Sequence, residues 1–135
     1  MQSQRAAAQY RSVRSHGLVA DASPERLVQI MFEQILSNLA AAQGNMRRIE
    51  NNMPVGEVVA KGNALGKAIR LIDHLNATLD MERGREIAQN LRSLYDYMLG
   101  RLTLANINND AAIVAEVAGL VQKIKSGWDR LVEDR

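Results

Sequence analysis

The chain has 135 residues, 47% of them apolar, and no cysteine. That is enough for one domain with its own core, and it excludes disulfides and thiolate-held metals. The net charge of +2 sits in residues 1–22, where Arg5, Arg11 and Arg14 stand against Asp21 alone; with 4% aromatics, this is a poor footprint for nucleic acid, which asks for clustered cations or stacking rings.

The N-terminus, MQSQRAAAQYRSVRSHG, lacks the apolar stretch of a secretory signal. No apolar run approaches the ~20 residues that span a bilayer, so a cytoplasmic protein without membrane insertion is expected. Tyr10 and Val13 share one short turn of an Ala- and Arg-rich leader. A leader of that kind lies over an apolar groove or trails as a tail; its pattern allows both.

Ser23-Pro24-Glu25 reads as a helix start. The Ser hydroxyl accepts from a free backbone N–H, Pro has no N–H to waste, and Glu suits the positive end of the dipole. Leu27, Val28, Met31, Phe32, Ile35, Leu39, Ala42, Met46 and Ile49 then recur at helical spacing, and Glu50-Asn51-Asn52 ends the helix. Pro54 opens a second helix to about Leu79, with Val58, Leu65, Ala68, Ile69, Ile72 and Leu75 on its apolar stripe.

Asp80 to Gly84 reads as a short turn, and a third helix begins near Gly84. It carries Ile87, Leu91, Leu94, Tyr95, Met98, Leu102 and Ala105 toward a core. Asn106 to Asn109 breaks it, and Asp110 caps a fourth helix bearing Ile113, Val117, Leu120, Val121, Ile124, Trp128 and Leu131. Short turns force consecutive helices antiparallel, so the pattern predicts an all-α, up-down-up-down four-helix bundle over residues 23–135. Residues 1–22 form a separate N-terminal segment.

Bundles host metals through inward carboxylates and Glu-x-x-His pairs. Here Val13 and Leu71 stand where those Glu would precede His16 and His74. Nor is there a Gly-rich phosphate loop, or a flanking motif that would join Ser or Thr to a base. The residues predict no enzyme, no metal and no cofactor. Asp73-His74 falls on the polar side of its helix, as an exposed pair without a role.

Some apolar residues exceed what one core-facing arc requires. Tyr97 and Leu104 form a second stripe on the third helix; Leu71 adds to the second, and Ile30 and Leu36 to the first. A bundle helix touching two neighbours needs a broad arc, which is one explanation. The other is a groove for a partner's helix. Gly62 and Gly66, on one helix face, invite a close helix, either a neighbour in the bundle or a guest.

The order and spacing of several short pieces are quite specific. They are Tyr10, Ala22-Ser23-Pro24-Glu25-x-Leu27, Leu79-Asp80, Gly84 through Ile87-Ala88-x-Asn90-Leu91, Leu94-Tyr95-Asp96-Tyr97-Met98 with Arg101-Leu102, Ala105-Asn106-Ile107, Asp110 and Trp128. In these the chain closely resembles the FliS family of flagellin export chaperones, over nearly its whole length. The resemblance implies a cytosolic chaperone that binds the C-terminal segment of newly made flagellin, prevents premature polymerisation and keeps it fit for type III export. It implies that Tyr10, with Val13 beside it, covers a groove until flagellin displaces it. The surplus residues Ile30, Leu36, Leu71, Tyr97 and Leu104 are then groove candidates, with Tyr95 in the core. The alternative within binding proteins is a helical adaptor for another flagellar regulator or export component. Many members carry a second Gly where this chain has Arg85, a departure that bears on turn geometry.

Overall fold

A computed structural model describes residues 22–50 and 55–134. It holds α1 (Pro24–Glu50), α2 (Val55–Ala77), α3 (Met81–Asn108) and α4 (Ala111–Glu133). Tyr10, Val13, His16 and Pro54 lie outside the described residues. None of the four helices is long and apolar enough to cross a membrane.

Local chemistry sets the helix ends. Ser23 Oγ accepts from Arg26 N at 3.1 Å, so the Ser-Pro-Glu start forms as its chemistry predicts. Asp80 caps a first turn of α3 by accepting from Arg83 N at 3.0 Å; the helix path then breaks at Arg85, so the long run of α3 begins just after Gly84, close to where the sequence pattern starts it. Asp110 Oδ1 accepts from Ala112 N and Ile113 N at 3.0 and 3.3 Å and caps α4. Between α3 and α4, Asn109 takes a left-handed conformation (φ 51°, ψ 47°), and Asp110 N donates to Ala105 O at 3.0 Å. Asn is among the few residues that adopt this state at modest strain.

The helices form an antiparallel four-helix bundle, in which α1 packs against α2 and α4, and α3 against the same two. Met31, Ile35, Leu39 and Met46 of α1 meet Leu65 and Ile72 of α2, Met98 and Leu102 of α3, and Val114, Val117 and Val121 of α4 in one core. Each such side chain contributes roughly 1.5–3 kcal/mol by leaving water, which outweighs the weak intrinsic helicity of the segments.

Polar ties fix the register. Glu57 of α2 receives Asn45 Nδ2 at 2.8 Å and Arg48 Nε at 3.0 Å from the end of α1. At the same end, the buried Lys61 of α2 donates to Asn106 O at 3.0 Å, placing a cation where α3 exposes its last carbonyls. Gln29 of α1 donates to Asp129 of α4 at 2.8 Å, and Asn76 of α2 to Asp96 of α3 at 2.8 Å.

Several expectations change. Val58, Ile87 and Leu131 fall on apolar stripes yet are 46%, 72% and 61% exposed. For Ile87 the reason is register: the last turn of α2 meets α3 at Asp96, so α3 runs on beyond the end of α2 and its first turns lack that neighbour. His74 is buried rather than exposed, while Asp73 is half-buried. Gly62 has no close helix beside it, since an added Cβ would meet nothing within 4 Å; at Gly66 it would meet only Arg70 Nη1, at 3.4 Å.

Candidate functional site

The early end of α2's partnership with α3 leaves an apolar groove at one end of the bundle. Its volume is about 550 Å³, within the range of ligand-binding clefts. Ile87, Leu91 and Tyr95 of α3 form one wall, and Ile124, Gly127, Trp128 and Leu131 of α4 the other. Val28 and Phe32 of α1, Leu75 of α2, Thr78, Leu79 and Asp80 from the turn after it, and Lys123 of α4 complete the lining.

The residues divide between anchored and open. Phe32 and Tyr95 are 2% and 4% exposed, rooted in the core. Burial pushes the Tyr95 hydroxyl up to about 12, so it stays protonated at any ordinary pH. Trp128 is half-buried, not fully so as its stripe predicts, because it stands in the groove wall while its Nε1 donates to Glu25 O at 3.0 Å. Ile87 and Leu131 stand open on opposite walls. At Gly127 an added Cβ would meet nothing within 4 Å, so the α4 wall has a gap there.

Beyond the groove, α3 and α4 are joined by a polar clasp. Tyr97 Oη donates to Glu116 Oε2 at 2.7 Å, and Arg101 Nε donates to Glu116 Oε1 at 3.1 Å. The two donors hold the Glu116 carboxyl below its ordinary range, Tyr97 foremost, and the same hydrogen bond raises the Tyr97 hydroxyl. Arg101 also lies 6.0 Å from the Tyr97 ring centroid, at the outer limit of a cation–π contact.

Of the surplus residues singled out by sequence, Tyr97 and Leu104 are open, at 45% and 40% exposure. Ile30 is buried beside Leu27 in a small cluster apart from the main core, Leu71 is buried in that core, and Leu36 packs half-buried against it. None of the five lines the groove. Sequence reasoning assigned the groove's own residues, Ile87, Leu91, Ile124, Trp128 and Leu131, to the core stripe. A signal that sequence reasoning passed over is Gly127, a helix-interior glycine set among them at a cost of about 1 kcal/mol against Ala.

This surface can hold an apolar side chain or helix. Its polar lining is sparse: Thr78, Asp80 and Lys123, besides the Tyr95 hydroxyl. Among the described residues no group of three or more His, Asp or Glu converges as metal ligands would.

Comparison with known proteins gives concordant matches. A family profile described as "Flagellar protein FliS" matches residues 6–135. The "Flagellar secretion chaperone FliSB" of Pseudomonas aeruginosa is 42% identical over 129 residues, covering 96% of this chain and 97% of its own. The "Flagellar secretion chaperone FliS" of Salmonella typhimurium is 43% identical over 123 residues, covering 90% and 86% respectively. That of Bacillus subtilis is 32% identical, covering 85% and 80%.

Proposed function

This chain belongs to the FliS family of flagellar secretion chaperones, and on that premise we propose that it binds the C-terminal segment of newly made flagellin in the cytosol. Bound there, the segment is kept from pairing with other subunits before export, and the protein acts by binding, without catalysis or cofactor. The observation that carries this reading is the apolar groove between α3 and α4, with Ile87 and Leu131 open at its walls. A disordered guest recovers the free energy of ordering, commonly about 2–5 kcal/mol, by burying apolar residues as a helix.

The guest continues along α3 over the exposed Tyr97 and Leu104. Ile30, Leu36 and Leu71, packed within the chain, join the contact only where their covering moves aside. Tyr10 and Val13 serve as a cover displaced by the guest.

A second reading, a helical adaptor for another flagellar component, draws on a separate feature. Val55, Val58 and Val59 are 76%, 46% and 57% exposed on α2, away from the groove lining. Calorimetric titration with a peptide of the cognate flagellin C-terminus tests the first reading. Saturable binding with a negative heat-capacity change is expected. No binding by the folded protein overturns it and leaves the adaptor reading.

A further inference from the structure

Two charged residues line the groove, Asp80 and Lys123. Asp80 is engaged: its carboxylate caps α3 through Arg83 N at 3.0 Å, and the Arg83 guanidinium stands 3.8 Å away. Lys123 makes no hydrogen bond or ion pair among the described residues. Glu116, two turns back on the same helix, is taken by Tyr97 and Arg101. The lysine is thus solvent-exposed and unpaired among the described residues, at the edge of a wall that continues through Gly127 to Leu131.

We propose that Lys123 selects guests bearing a carboxylate beside the apolar residues that fill the groove. This rests on the reading of the groove as the guest site. A helix laid against Ile124, Gly127 and Leu131 covers the lysine stem and draws its ammonium partly out of water. Burying that charge without a counter-ion is costly. An acid on the guest removes the penalty, and a Lys or Arg at the same place adds repulsion. Specificity then comes as much from what is rejected as from what is bound. The carboxylate belongs to an Asp or Glu side chain or to the free end of the guest chain.

The test is calorimetric titration of the wild-type protein, Lys123→Arg, Lys123→Gln and Lys123→Glu with the flagellin C-terminal peptide at low and high salt. The peptide is used both as free acid and as amide. Lys123→Arg should bind as wild type, and Lys123→Glu roughly tenfold more weakly at low salt, with Lys123→Gln between them. The gap should close at high salt. A peptide with one acid changed to Lys should restore binding to Lys123→Glu. Loss on amidation alone assigns the carboxylate to the chain end; no loss assigns it to a side chain. Equal binding by wild type and a folded Lys123→Glu at low salt overturns the role of Lys123 and leaves the chaperone reading standing. Absence of binding by wild type overturns both.

Discussion

Trp128 Nε1 donates to the backbone carbonyl of Glu25 at 3.0 Å, tying the last turns of α4 to the first turn of α1. The same indole forms part of the groove wall, so one side chain serves stability and binding together. Trp128→Phe keeps an aromatic ring and removes the hydrogen bond; urea denaturation should show a loss of about 1 kcal/mol. Trp128→Ala also removes packing against the core and should lose about 3 kcal/mol, the low end for a large aromatic because the ring is half-exposed. A Phe variant as stable as wild type would mean the hydrogen bond makes no net contribution.

Gly127 separates folding from binding. Its Cβ position is open, and Leu is the better helix former by roughly 0.8 kcal/mol. Gly127→Leu should therefore raise the melting temperature while its side chain fills the groove and weakens guest binding. A variant that is more stable and binds normally would place the guest elsewhere.

Arg85 has φ 46° and ψ −118° within α3, where the helix path is broken just after its first turn. Only glycine adopts that conformation without strain, which otherwise costs about 1–3 kcal/mol. Arg85→Gly should stabilise the protein by about 1 kcal/mol after the added freedom of the unfolded chain is counted, a rise of roughly 3–5 °C in Tm. At Gly84 the sign reverses, because a Cβ there would stand 2.6 Å from Ala88 Cβ. Gly84→Ala should lose about 1–3 kcal/mol through overpacking. Thermal melts of the two variants should move in opposite directions.

Acid should weaken the fold in two stages. Burial pushes the His74 imidazole below its ordinary 6.5, against the opposing effect of Asp73. The unfolded chain then takes up a proton more readily than the folded one. This contribution is complete above pH 6.5 and is lost as pH falls from there toward the depressed folded value. Glu57, Glu116 and Asp129 are also held below their ordinary range, mainly by hydrogen bonds from Asn45, Tyr97 and Lys125 respectively. Their share is lost only at lower pH, below about 4. The urea midpoint of wild type should begin to fall as pH drops below about 6.5, ahead of the carboxylate losses, and that of His74→Leu should stay flat there. Parallel profiles would remove His74 from the account.

What the sequence determined is local. Ser23, Asp80 and Asp110 cap helices because a short side chain reaches a free N–H within its own turn, whatever the rest of the chain does. The spacing of Met31, Ile35, Leu39, Met98, Leu102 and Val117 marks a core because a 3.6-residue period turns them to one side. Four such stripes joined by short turns are enough for the bundle.

Tertiary structure decided where each stripe has something to pack against. Ile87 and Leu91 carry the same periodic signal as Met98, yet they stand in a groove because α2 ends at Ala77 and its last turn meets α3 at Asp96. Tyr97, a surplus apolar residue by pattern, instead clasps Glu116 across to α4. His74, on the polar side by helical spacing, is nearly inaccessible. Helical period gives the direction of a side chain, whereas burial depends on how far the neighbouring helices reach, and that register emerges only when the four pack together.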